Sequence, residues 1–364
     1  MLKPALAWAL AAGTLAGVAL AATPAAPPAP LDVLDVPAMK SALAPRALVN
    51  GLARAGERLV AVGQRGHVLL SDDQGKSWRQ AEVPVSSDLV AVSFATPAQG
   101  WAVGHDGIVL RSDDAGATWA RVLDGRQAGA RMLEYYQREA ANAAGDKRAA
   151  ALLQEAERFA AQGPENPFLD VVFEDASSGW LVGAFGLIFR TTDGGASWQP
   201  MLHATDNPKA LHLYAVRVVG GEIYVAGEQG LLLKLDRAAP GGGQFRALEL
   251  PYKGTLFGIT GTPRALLVHG LRGTLLRSTD AGRSWQPVDT GVQAGLTASS
   301  SDAQGRIVVV SQAGHVLLSR DDGASFAPVP VAKPLPAAAV ASAGASALVV
   351  GGPRGLMPLP LTQP

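Results

Sequence analysis

Short apolar and β-branched runs, broken by Gly and Asp, recur along most of the chain. Gly100–Trp119 shows the pattern whole. Trp101-Ala102-Val103 reads as a strand, Gly104-His105-Asp106-Gly107 as a tight turn, Ile108 to Arg111 as a second strand, and Ser112 to Trp119 as a turn into a third. A further apolar strand comes first, as in Leu89–Phe94 and Phe168–Phe173, so each unit reads as four strands. The leading position of the tight turn falls at Gly63, Gly104, Gly183, Gly227, Gly270, Ser311 and Gly351, with spacings of 41, 79, 44, 43, 41 and 40. A period of about 41 residues is that of a propeller blade, and the long spacing holds one period plus an insertion of about 38. The pattern predicts an all-β, seven-bladed β-propeller with one inserted α-helical hairpin.

The second turn has its own chemistry. It recurs as Ser71 to Trp78, Ser112 to Trp119, Thr191 to Trp198, Ser278 to Trp285 and Ser319 to Phe326. These five copies resemble the Asp-box, S/T-x-D-x-G-x-S/T-W, of bacterial neuraminidase repeats. Asp73, Asp114, Asp193, Asp280 and Asp321 are placed to bond backbone N–H groups ahead of them. Trp78, Trp119, Trp198, Trp285 and Phe326 follow as rings to be packed between sheets. Unit four lacks the box and has Pro240-Gly241-Gly242-Gly243 there, read as a longer turn.

The insertion, 126–163, reads as two helices. Leu133, Tyr136 and Ala140 share a face of the first. Asp146 caps the second, and Leu152, Leu153, Ala156 and Phe159 share its face. Residues 1–21 read as a signal peptide, with Lys3, an apolar Ala5 to Leu20 and a small-x-small cleavage site. Residues 22–30 read as an Ala/Pro linker and 31–361 as the propeller. The last unit has no Asp-box and so no outer strand; strand-like Leu31–Val36 is expected to supply it. Export to the periplasm, with or without a retained membrane anchor, follows from the leader.

Strand alternation sorts the loops into two faces. Asp-boxes join third to outer strands and point one way. The tight-turn tips and the hairpin point the other, and loops on a rigid scaffold carry function. Arg65, Arg272 and Arg354 stand at tips, units one and seven being neighbours in a closed ring. Guanidiniums there suit a carboxylate or phosphate. His105 is a further tip residue, and Tyr135 and Tyr136 are expected to be exposed aromatic anchors on the hairpin. Removing 126–163 is expected to leave the fold intact.

Composition removes alternatives. Lys plus Arg and Asp plus Glu are 31 each, so net charge argues neither for nor against a nucleic-acid partner, and none is expected. With no Cys, disulfides and thiol chemistry are excluded. The six histidines show no metal-ligand spacing, and neither metal nor cofactor is expected.

The repeated Gly-Trp-(Ala/Leu)-Val-Gly followed by the Asp-box, best seen at Gly100–Trp119 and Gly179–Trp198, resembles the photosystem II stability/assembly factor family over nearly the whole mature chain. The resemblance implies a non-enzymatic exported propeller that binds a reaction-centre precursor or another membrane-protein client and assists its assembly. The helical hairpin is an addition to that pattern. Relatives outside phototrophs accompany exporters of the resistance-nodulation-division type, so such an exporter is a second client class. No small-molecule substrate is expected. The alternative is a sialidase-like glycoside hydrolase of the Asp-box type. That enzyme needs an arginine triad, a Tyr–Glu pair and an acidic Asp; Tyr214 has no Glu partner at a matching site, and five repeated aspartates fit turn chemistry better than a single acid.

Overall fold

The computed structural model describes residues 31–361. The predicted signal peptide and linker lie outside the described residues. Seven antiparallel sheets follow in chain order at 49–80, 89–123, 168–200, 213–247, 256–287, 296–328 and 339–360. Within each sheet the strands are ordered as in the sequence. Each first strand packs against the first strands of its two neighbours, and the seventh meets the first, so they line a central channel. This is a seven-bladed β-propeller. Six blades have four strands, and blade 7 has three among the described residues.

The core lies between the blades. Trp119 of blade 2 packs with Val60 and Leu70 of blade 1, and its ring meets Phe94 edge-on at 6.2 Å. Trp198 joins the cluster between blades 2 and 3, Trp285 that between 4 and 5, and Phe326 that between 5 and 6. Each Asp-box ring thus faces the preceding blade.

The ring closes by the same rule. Trp78 of blade 1 packs against Ala341, Ala343 and Val349 of blade 7, and Arg54 reaches across the seam to donate to the Ser342 carbonyl at 3.1 Å. The expected donated strand is absent: Leu31–Val36 forms turns, not a strand. Residues 32–43 instead form a strap over the junction of blades 1 and 2. Ser86 N–H donates to the Val33 carbonyl (2.8 Å) and Ala38 N–H to the Val83 carbonyl (3.0 Å). Leu34 is buried between the two blades, and Asp35 pairs with Arg121 and Arg126. The alternating pattern that suggests a strand here has a different cause. Leu34 alone is sunk into an inter-blade pocket, while Asp32 and Asp35 face arginines.

Two helices stand between blades 2 and 3: α1, Gly125–Asn142, capped by Asp124, and α2, Lys147–Gln162, capped by Asp146. The buried face of α1 is Ala128, Met132 and Tyr136 rather than the Leu133 face. Together with Ala156 and Phe159 it completes the apolar cluster of Phe168, Leu187 and Trp198. The hairpin is therefore part of the core. Excising 126–163 would uncover that cluster, which corrects the expectation that the fold would survive the deletion.

Candidate functional site

The two kinds of turn differ in what their side chains are free to do. In the Asp-box of blade 2, the Asp114 carboxylate accepts from Ser112 Oγ (2.8 Å), Thr118 N–H (2.9 Å) and Thr118 Oγ1 (2.7 Å), while Ser112 Oγ accepts from Gly116 N–H (2.9 Å). The Trp119 indole donates to the Gly116 carbonyl at 2.9 Å. Asp73, Asp193, Asp280 and Asp321 make the same carboxylate bonds. The Ser77 hydroxyl and N–H, with the Ser71 hydroxyl, hold Asp73 down at about 2. The equivalent bonds hold Asp321 at about 2 and lower Asp280 further. Such carboxylates stay ionised and serve the turn; they are not proton donors at neutral pH.

The tips are built by close backbone approach. A Cβ on Gly104 would lie 2.0 Å from the Asp88 carbonyl of the link entering the same blade, and Gly63, Gly183, Gly227 and Gly270 meet the same obstacle. This is why glycine marks the period. In blade 7 the residue in that role is Gly352, pressed on the Pro336 carbonyl, one place beyond the Gly351 expected from the spacing. Arg65, Asp106, Phe185, Gln229 and Arg272 follow with left-handed backbone, φ from 53° to 58°. Links fix the tips in turn: Arg65 N–H donates to Asp88 (2.7 Å) and Phe185 N–H to His212 Nδ1 (2.7 Å).

These tips and the hairpin share one face. His105–Gly107 abuts α1, and the Arg158 guanidinium of α2 lies over the Phe185 ring at 5.2 Å. His105 is exposed beside α1. Tyr135 and Tyr136 are not free anchors. Tyr136 is buried; its hydroxyl accepts from the His203 backbone N–H (3.3 Å) and is hydrogen-bonded to His203 Nδ1 (3.1 Å). Tyr135 is half-buried, stacks on His203 and accepts from Gln199. Both pin the hairpin to blade 3.

The arginines divide. Blade 7's Gly355 lies against Pro45 and Arg46, which brings the Arg354 tip beside the short helix Ala44–Arg46. On the blade 1 side, Arg65 shares a groove with Leu43 and Ala47. Arg272 stands two blades away on blade 5. Arg65, Arg272 and Arg354 are exposed, and among the described residues none of them is in an ion pair. Arg46, exposed and likewise unpaired among the described residues, belongs to no repeat motif; only its place just before blade 1 marks it.

The channel is a further concave feature. Its mouth on the Asp-box side opens to about 710 Å³, lined by Arg54, Arg217, Thr260 and Ser299 to Asp302. Deeper in, buried Asp170 accepts from Val216 N–H at 2.8 Å and pairs with Arg217. Its charges are matched within the wall.

Comparison with known proteins bears on both fold and family. The family described as Photosynthesis system II assembly factor YCF48 matches residues 47–139 and 158–328. The Photosystem II assembly lipoprotein Ycf48 of Synechococcus sp. (strain CC9902) is 30% identical over 163 residues, 43% of this chain and 47% of that protein, so the match spans about half the length of the relative. Three solved structures share the fold. YCF48 bound to D1 peptide superposes with a TM-score of 0.60 at 16% identity, covering 87% of this chain and 94% of that one. YCF48 from Cyanidioschyzon merolae gives 0.58 at 16% identity, covering 87% and 96%. The WD40 propeller domain of Doa1 gives 0.62 at 10% identity, covering 91% and 97%.

Proposed function

The chain belongs to the Photosynthesis system II assembly factor YCF48 family, and from that premise we propose that it is a non-enzymatic, exported propeller whose tip face binds a protein client and assists assembly or stability of a membrane protein complex. The observation that carries this reading is the contrast between the two faces. Asp-box side chains are spent on their own turns, whereas the tips hold Arg65, Arg272 and Arg354 exposed and, among the described residues, in no ion pair, Arg65 and Arg272 on left-handed backbone. Three exposed guanidiniums suit carboxylates on a client segment. A relative solved with a D1 peptide supports a peptide-bearing client. The five repeated aspartates are committed to turn bonds and so do not serve the hydrolase alternative as its acid.

A reaction-centre subunit and an exporter of the resistance-nodulation-division type both meet this description. Photo-crosslinking residues placed at Phe185 or Arg272, compared with Lys76 or Arg283 on the opposite face, decide between them. In intact cells the tip positions should yield adducts to one membrane protein, reduced when Arg65 and Arg354 are changed to Ala. Stronger adducts from the Asp-box positions would overturn the face assignment. Fractionation of the same cells tests the periplasmic location expected from residues 1–21.

A further inference from the structure

We propose that the part of the tip face over blade 1, from its junction with blade 2 to its seam with blade 7, is a docking surface for an anionic phospholipid bilayer. Val33, Met39 and Leu43 of the strap are 42%, 69% and 65% exposed, an unusual cluster of large apolar side chains standing in water. They border a groove of about 420 Å³ that has Arg65 in its wall. Arg46 follows Leu43 by three residues, and the packing of Gly355 on Arg46 sets Arg354 beside it. The sector therefore combines three apolar groups with three arginines that, among the described residues, form no ion pair.

The acids nearby are already engaged. Asp35 is held by Arg121 and Arg126, and Asp32 by Arg126. Glu82 pairs with Lys40, and Asp88 takes the Arg65 N–H. What remains outward is positive and apolar, the complement of an anionic headgroup layer over acyl chains. A peptide is the poorer occupant. Peptide sites recess their apolar contacts, and here Met39 and Leu43 protrude. The inference rests on the tip-face reading and goes beyond it: without a client, Arg65 and Arg354 meet headgroup phosphates in place of client carboxylates, and a vesicle assay that contains no client tests this separately.

The chain contains no Cys, which makes a single-cysteine probe clean. Full-length protein carrying Leu43→Cys, or Met39→Cys as a second position, is labelled with an environment-sensitive dye and mixed with phosphatidylglycerol-containing vesicles. Lys76→Cys on the opposite face is the control. The expected result is a blue shift at 43 and 39, quenched by lipid-borne quenchers and absent at 76. It should be lost with phosphatidylcholine vesicles and with Arg65→Glu plus Arg354→Glu. Because the probe reads position rather than total binding, an apolar N-terminus common to all variants does not affect the comparison. No shift at 43 and 39, an equal shift at 76, or a shift indifferent to lipid charge and to the arginines would overturn the proposal. So would a shift produced by an acidic apolar peptide and not by vesicles, which would make the sector a peptide site.

Discussion

His269 uses both ring nitrogens inside the wall between blades 5 and 6. Nδ1 lies 2.9 Å from the Leu296 carbonyl, which can only accept, so Nδ1 carries the proton and Nε2 accepts from Ser299 Oγ at 2.8 Å. The ring lies over Gly258, where a Cβ would come within 2.4 Å of Nε2. Burial pushes its pKa down to about 4. The unfolded chain takes up this proton below about 6.5 and the folded chain only below about 4, so stability falls between those values as pH drops. At about 1.4 kcal/mol per pK unit the loss is about 3 kcal/mol. Burial lowers His67 and His203 as well, with the same sign. Urea unfolding at pH 7 and pH 4.5 should show this slope, and His269→Gln should reduce it. The Asp-box carboxylates act in a separate window. Asp73, depressed to about 2 by Ser77 and Ser71, contributes stability that is present above about pH 4 and lost as pH falls through about 2. Ser77→Ala should move the Asp73 carboxyl titration upward, read by carbon-detected NMR.

At the scale of elements, each Asp-box joins a turn to a seam between blades. The Trp119 ring is 6% exposed between blades 1 and 2, with its indole N–H satisfied by Gly116. Trp119→Ala should cost about 3–5 kcal/mol in chemical denaturation, as a buried aromatic truncation that leaves a cavity. The hairpin is a core element by the same measure. Phe159 of α2 is buried against blades 2 and 3. Phe159→Ala should cost about 3–5 kcal/mol and raise amide exchange in α1, α2 and the first strand of blade 3.

For the molecule as a whole, closure depends on a single seam of the ordinary kind. Blade 7 has no fourth strand among the described residues, and the strap contributes none. Trp78, Leu356 and the Arg54 bond to Ser342 hold the ring shut. Trp78→Ala should therefore open the 7–1 seam first. The cost should be about 2–3 kcal/mol, less than for Trp119 because the ring is half-exposed. Hydrogen exchange should show blades 7 and 1 losing protection ahead of blade 4; uniform loss around the ring would count against this account of closure.

Seven units, their Asp-box turns and the division of loops between two faces were all legible in the sequence. Each depends on residues within about eight positions of one another, where a Gly or an Asp has one geometric use. The strap, the way the ring closes and the place of Arg46 beside the expected Arg65–Arg354 pair of tips were decided only by the tertiary structure. The hydropathy of Leu31–Val36 suits a strand and a strap equally; what distinguishes them is that Leu34 meets a pocket ending at Leu89 and Ala102, and Asp35 meets Arg121 and Arg126. In the same way the i, i+3 and i+4 spacing of α1 marks a helix, but which of its faces is buried, and so whether Tyr136 is anchor or core, depends on His203, 67 residues away along the chain.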